Sequence, residues 1–282
     1  STMGNSRLGA TLVALPGWKD TDLGLRGLCR ATLEMGFRVV AVNPPGNGRW
    51  PAPPSRLRRL ADLTEVMLEA IQRLPKTEDS VILLGHSFGA TVATALAANR
   101  PPWLQGLVLV SPVVKAPAVH PGLSGRFSQA VVNAGARVLG GAPRPVADAY
   151  LRSRLIEDAT NIHFARSKFG GAREILMRSR IERGILAAPR SVADHLRMAG
   201  EHGCIDFAAQ VRCCVEVLAG DSDQMSPLAE LEMLRAQMTN ARLRLVPGAG
   251  HLAHHENSYE LSRLTADCVR TLSAKFHGIS EA

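Results

Sequence analysis

A serine with a glycine two residues away on each side stands at Gly85-His86-Ser87-Phe88-Gly89. The apolar residues 81–84 before it predict a buried strand, and the small residues 90–98 after it predict a helix. A sharp strand-to-helix turn strains the serine backbone, and the two glycines remove Cβ atoms that would clash there. The helix N-terminus then points free N–H groups towards the oxyanion of an acyl-transfer reaction. This pattern predicts that Ser87 is a nucleophile.

A nucleophilic serine needs a general base, and the base needs a carboxylate that orients it. Two downstream loops offer these groups, and each loop follows an apolar segment that predicts a strand. The first loop contains Asp221 and Asp223, and the second contains His251. The order serine, acid, histidine is known for such triads. The position after a strand leaves both aspartates open as the orienting carboxylate.

Apolar segments typical of strands alternate with amphipathic segments typical of helices over most of the chain. We predict strands at 10–15, 38–43, 80–84, 107–110, 213–218 and 243–246, and helices at 24–35, 55–74, 88–99, 226–238 and 258–276. Strands that are apolar on both faces and alternate with helices indicate an α/β fold with a mostly parallel sheet, covered by helices on both faces.

Residues 117–200 interrupt this alternation, because they contain several helical segments and no convincing strand. The predicted organisation is therefore a core of residues 1–116 and 201–282 with a helical insertion of residues 117–200. Ligands bind at the carboxyl ends of the strands in open α/β sheets. We expect the insertion to lie at that edge.

Taken together, these motifs resemble those of the α/β-hydrolase family, in particular its serine hydrolases with a helical cap. The family's acid motif, G-x-x-D-x-x-x-P, falls on Gly220, Asp223 and Pro227, and this match favours Asp223 over Asp221. The family's histidine motif, G-x-G-H, ends at His251. The resemblance covers nearly the whole chain outside the insertion. It implies a Ser87, Asp223 and His251 triad and a sheet of the α/β-hydrolase type.

The resemblance also implies an oxyanion hole with two main-chain N–H donors, one from Phe88 and one from Trp18 in the loop after the first strand. The family commonly has His-Gly in that loop, whereas this chain has Pro16-Gly17. The change removes a histidine that helps to brace the loop. A main-chain donor does not depend on its side chain, so Trp18 remains the expected second donor.

The lengths of the apolar runs and the cysteine spacing indicate where the protein is located and whether it binds a metal. No stretch of the 282 residues approaches the ~18 uninterrupted apolar residues of a membrane span. The apolar run at 12–15 is too short for a signal peptide. The five cysteines have neither a disulfide pattern nor a metal-type spacing. We therefore expect a soluble cytoplasmic protein with no membrane span and no metal. The resemblance implies an enzyme without a cofactor.

The net charge of +8 is concentrated in one part of the chain. Residues 117–200 hold 12 Arg and one Lys against six acidic residues, so this segment alone carries a net charge of +7. The rest of the chain is nearly neutral, which argues against nucleic acid as a partner. Because Arg captures carboxylate and phosphate groups well, we hypothesise a small-molecule substrate with an apolar acyl portion and an anionic group.

The resemblance implies hydrolysis of a carboxylic ester through an acyl-enzyme on Ser87. Here His251 acts as general base and Asp223 orients it. Thioester hydrolysis, acyl transfer to another acceptor and C–C bond hydrolysis use the same residues and remain open, as do lyase and cofactor-free peroxidation chemistry. A ligand receptor that retains the pocket but turns over little substrate is the alternative from another class, because a fold alone does not decide function.

Overall fold

The structure is a computed structural model. The model describes residues 2–3, 10–74, 80–116, 123–153, 155 and 187–276. Its strands are β1 (Thr2–Met3), β2 (Thr11–Leu15), β3 (Arg38–Ala41), β4 (Val81–His86), β5 (Leu104–Val110), β6 (Cys214–Gly220) and β7 (Ala241–Val246). Its helices are α1 (Arg26–Glu34), α2 (Leu60–Gln72), α3 (Phe88–Ala98), α4 (Leu123–Gly141), α5 (Arg144–Arg152), α6 (Pro189–Glu201), α7 (Ile205–Ala208), α8 (Leu228–Gln237), α9 (Ala253–Glu256) and α10 (Ser258–Phe276).

The seven described strands form one sheet in the order β1-β3-β2-β4-β5-β6-β7. The pairs from β3 through β7 are parallel, and β1 joins the edge antiparallel to β3. The mostly parallel sheet of the sequence prediction is therefore confirmed. The short edge strand β1 was not predicted, because two residues carry no periodic pattern.

Alternate residues of each strand face opposite sides of the sheet, and both sides are apolar. Val13 and Leu83 belong to a core cluster on the side of α2, α3 and α8. Their neighbours Leu12 and Ile82 belong to a second cluster, on the side of α1 and α10. This double burial explains why the strands are continuous apolar runs rather than alternating ones.

The strands end level with one another at one edge of the sheet. Leu15 at the end of β2 is in register with Gly85, and His86 at the end of β4 is in register with Val110. Gly220 at the end of β6 is likewise in register with the last residue of β7. The loops after β2, β4, β6 and β7 therefore emerge side by side, and these are the loops that contain the predicted site residues.

Helices α4, α5 and α6 lie in the chain between β5 and β6. They share a small apolar cluster of their own, in which Leu139 of α4 is buried together with Val192 and Ala193 of α6. Trp18, from the loop after β2, packs against the same cluster. The predicted insertion of residues 117–200 includes residues 117–122, 154 and 156–186, which lie outside the described part of the chain.

Helix α2 begins at Leu60, several residues after the predicted start at 55. Arg59 has an extended backbone at the N-cap, and its N–H donates to Asp62 Oδ2 at 3.2 Å. Just before it, the Arg56 guanidinium is bonded to the Asp194 carboxylate of α6. A long-range ion pair thus holds this segment out of the helix, although its local sequence favours helix.

Candidate active site

Ser87 lies at the turn between β4 and α3, with φ of 52° and ψ of −121°. A Cβ on Gly85 would lie 2.3 Å from the Gly89 carbonyl oxygen, and a Cβ on Gly89 would lie 2.4 Å from the Leu15 carbonyl oxygen. Both glycines are therefore required by close main-chain packing. The strained serine backbone is of the kind that surrounding packing must hold in place. This turn projects the hydroxyl at the N-terminus of α3.

His251 follows β7, and its Nε2 lies 2.9 Å from Ser87 Oγ. The loop that carries it is held by Glu256, whose carboxylate accepts from the Gly250 N–H at 3.2 Å. It also packs closely against the loop after β6, since a Cβ on Gly220 would lie 2.1 Å from the Ala249 carbonyl oxygen. The imidazole is almost fully buried and faces the serine hydroxyl.

Asp223 Oδ2 lies 2.9 Å from His251 Nδ1. Its other oxygen, Oδ1, accepts from the main-chain N–H groups of Met225 at 2.8 Å and Ser226 at 3.3 Å. In the tautomer with its proton on Nδ1, the imidazole donates to this carboxylate and Nε2 accepts from the serine hydroxyl. This arrangement suits a base that takes a proton from Ser87 Oγ.

Asp221, the other aspartate of this loop, makes different contacts from those of Asp223. Its side chain is exposed, and its Oδ1 accepts from the Gly248 N–H at 3.0 Å and from Ser222 Oγ at 2.7 Å. It thus links the loops after β6 and β7. The tertiary structure separates the two carboxylates that the sequence places two residues apart.

The loop Pro16-Gly17-Trp18 lies against the serine. A Cβ on Gly17 would lie 3.3 Å from Ser87 Cβ. The main-chain N–H groups of Trp18 and Phe88 donate to no acceptor within the described ranges, so both remain available for an oxyanion. The Trp18 indole Nε1–H donates to the Val192 carbonyl of α6 at 3.0 Å. The positive end of the α3 dipole adds to any stabilisation of negative charge at Ser87.

A cluster of polar side chains that no sequence motif predicts lies beside the serine. It contains His86, the last residue of β4, together with His254 and Asp20. Burial lowers the pKa of His86 well below its usual value, and the nearby His251 and His255 add to this effect. Burial raises the pKa of Asp20 to about 7, although the Thr21 N–H bond opposes the shift. In the sequence, the cluster is indicated only by ionisable residues that lie next to the serine motif, the histidine motif and the loop after β2.

Two cavities flank the Arg56–Asp194 pair. A cavity of ≈ 220 Å³ is lined by residues that include Pro45, Pro53, Ser191 and His195. The imidazole of His195 lies 6.3 Å, between ring centroids, from the ring of Phe88. Burial lowers the pKa of His195 to about 4, and the neighbouring Asp194 offsets only part of this shift.

A second cavity, of ≈ 310 Å³, is also lined by this ion pair. Its lining includes the arginines Arg56, Arg137 and Arg197, together with Asp194 and Asn133. Arg197 also forms an ion pair with Glu201 at 2.8 Å. Three guanidinium groups against the two carboxylates of Asp194 and Glu201 leave this region with one excess positive charge.

The fold and the arrangement of these motifs define a class of protein. A family model for the alpha/beta hydrolase family matches residues 12–263, so the chain belongs to this family. The resemblance seen in the sequence is thereby confirmed. No helix in the described part of the chain is long and apolar enough to cross a membrane.

Several known proteins are similar along almost their whole length. The pimeloyl-[acyl-carrier protein] methyl ester esterase of Aromatoleum aromaticum is 25% identical over 267 residues, which cover 92% of this chain and 98% of that protein. A thermophilic esterase from Thermogutta terrifontis has a TM-score of 0.74 at 21% identity, covering 97% of this chain and 93% of that one. The enol-lactonase from Burkholderia xenovorans has a TM-score of 0.73 at 18% identity, with coverages of 96% and 95%.

Proposed function

We propose that this protein hydrolyses carboxylic esters through an acyl-enzyme formed on Ser87, with His251 as general base and Asp223 as the orienting carboxylate. The observation that carries the proposal is the continuous contact from Ser87 Oγ to His251 Nε2 and from His251 Nδ1 to Asp223 Oδ2, each 2.9 Å long. Membership of the alpha/beta hydrolase family and the similarity to an esterase along nearly the whole chain support it.

In the first half-reaction, Ser87 Oγ attacks the acyl carbon while its proton passes to His251 Nε2. The N–H groups of Trp18 and Phe88 stabilise the oxyanion of the tetrahedral intermediate. The intermediate collapses to the acyl-enzyme as the C–O bond to the alcohol breaks and the alcohol takes the proton from His251. Asp223 stabilises the imidazolium between these two steps.

In the second half-reaction, water replaces the alcohol. His251 Nε2 takes a proton from the water, whose oxygen attacks the acyl carbon and forms a second oxyanion in the same site. Collapse of this intermediate breaks the bond to Ser87 Oγ, which regains a proton from His251. The carboxylic acid leaves, and the starting state is restored without a cofactor.

The substrate is proposed to carry an apolar acyl portion and an anionic group. The net charge of +7 on residues 117–200 supports the anionic group, and so do the arginines Arg56, Arg137 and Arg197 around the larger cavity. We further propose that residues 117–200 form a cap on the core of residues 1–116 and 201–282. The bond from Trp18 to Val192 supports this, because it joins the proposed oxyanion loop to α6.

Steady-state kinetics with a panel of aryl esters and matched acyl-thioesters tests the reaction type in the untagged protein. We expect many turnovers per chain on esters. Faster turnover of the thioesters than of the esters would contradict the proposal and indicate a thioesterase. Product formation only with an added alcohol or amine acceptor would indicate an acyltransferase. A single burst with no steady state would favour a ligand receptor over an enzyme.

A further inference from the structure

A second group of chemistry-bearing side chains lies beside Ser87 and has no role in the proposed acyl transfer. Asp20, from the loop after β2, meets His86 and His254, the latter from α9. One ligand-type atom from each of these three residues lies within 4.8 Å of the other two. We propose that Asp20, His86 and His254 bind one divalent transition-metal ion, such as Zn²⁺.

The first argument is the burial of polar atoms that make no hydrogen bond of normal geometry. The side chain of His86 is 3% exposed, and neither of its ring nitrogens has a hydrogen-bond partner of normal geometry in the described part of the chain. The same is true of Asp20 Oδ2, which is closed off from solvent. Leaving such buried polar atoms without a partner destabilises the folded state. A bound ion among them removes this destabilisation.

The second argument is the chemistry of the donor set. Two imidazoles and one carboxylate match the ligands of open zinc sites, whereas magnesium and calcium prefer oxygen ligands throughout. The ring centroids of His86 and His254 are 4.0 Å apart. Zn–N and Zn–O distances of about 2 Å require ligand atoms about 3.3 Å apart in a tetrahedron, so the ligand atoms need to approach one another by up to about 1.5 Å.

The third argument is that the loop after β2 makes room for these side chains. A Cβ on Gly24 would lie 2.2 Å from Asp20 Oδ1, and a Cβ on Gly17 would lie 3.1 Å from His86 Nδ1. The Thr21 N–H donates to Asp20 Oδ1 at 2.7 Å. That bond orients the carboxylate and leaves Oδ2 for the cluster, as outer contacts of metal ligands commonly do.

Metal binding to untagged, chelator-treated protein tests the proposal. We expect Co²⁺ to give visible absorption bands of a low-coordinate site, and calorimetry with Zn²⁺ to show one ion per chain. Zn²⁺ should also raise the unfolding temperature, because the site exists only in the folded state. Asp20→Asn and His254→Gln should each weaken the affinity at least 10-fold, a loss that even the removal of outer contacts can reach.

His202→Gln is the matched control, because it removes a half-exposed histidine at the end of α6 and should leave the affinity unchanged. Gly24→Ala displaces the Asp20 carboxylate without removing a ligand, and it should weaken binding even if Asp20→Asn does not fold. The absence of stoichiometric metal binding would overturn the proposal and would mean that buried water, rather than a metal ion, satisfies these polar atoms. Equal affinity of all variants, or a sulfur-to-cobalt charge-transfer band from cysteines such as Cys213, would overturn it as well.

Discussion

The indole N–H of Trp18 donates to the main-chain carbonyl of Val192 at 3.0 Å. Trp18 belongs to the loop that packs against Ser87, and Val192 is a buried residue of α6. One hydrogen bond therefore connects the proposed oxyanion loop to a helix of the inserted segment. A movement of α6 is expected to reach the loop through this bond.

Trp18→Phe should lower kcat about five-fold, because the lost bond, worth about 1 kcal/mol, no longer holds the loop. The main-chain donor itself is retained, so the loss should stay far below that of a triad variant. Steady-state ester kinetics measure the effect. Trp50→Phe is the control, since both tryptophans are partly buried against the main core, whereas Trp18 alone of the two also packs on the Leu139, Val192 and Ala193 cluster. Equal losses in both variants would mean that the Trp18 bond has no specific role.

Ser87→Ala should fold normally and lose ester turnover by a factor on the order of 10³ or more, because it removes the attacking atom. Labelling by a fluorophosphonate probe should disappear with it. Ser222→Ala, in the loop after β6, should keep full labelling. A fully labelled Ser87→Ala protein would show that another residue is the nucleophile.

Asp223→Asn should reduce kcat by about 10⁴, as in the best-studied triad, because the amide disfavours the productive histidine tautomer. Asp221→Asn is the matched comparison two residues away. Asp221 is exposed and accepts from the Gly248 N–H and the Ser222 hydroxyl, so its replacement should cost about 1 kcal/mol in stability and little in rate. Ester kinetics and thermal unfolding of both variants decide the roles. A greater loss of rate in Asp221→Asn would reverse the assignment.

His195 should make the folded state less stable in mild acid. Its folded pKa is about 4, below the usual value of 6.5, so between these pH values the unfolded chain binds a proton that the folded chain does not. Stability is therefore lost as the pH falls from 6.5 to 4, by about 1.4 kcal/mol per pH unit at most. His195→Phe should flatten this part of the profile in urea unfolding. Parallel profiles for the two proteins would contradict the prediction.

An anionic ester should be hydrolysed with a higher kcat/KM than a neutral ester of the same size, because the basic segment raises the local anion concentration. The preference should shrink at high salt, since screening weakens exposed charges. Arg137→Gln should reduce the preference while leaving the neutral ester unaffected. Equal rates for the two esters at low salt would show that the charge of residues 117–200 does not act on the substrate.

Much of this protein is determined by short-range sequence patterns. Buried parallel strands must be apolar on both faces, and a serine between a strand and a helix needs small neighbours. The fold prediction is therefore confirmed, and the motifs for Ser87 and His251 lie where the strands were expected to end. Local patterns failed at 55–59, where the Arg56–Asp194 pair of distant residues overrides helix propensity.

The tertiary structure decided what local patterns do not encode. Asp221 and Asp223 are alike in type and lie in one loop. The family motif favours Asp223, but the contact of its carboxylate with His251 depends on the path of that loop at the sheet edge. The meeting of Asp20 with His86 and His254 likewise depends on loops that are brought together by the packing of parallel strands. Side-chain distances across such loops follow from the packing of the whole core, which no single segment of the sequence specifies.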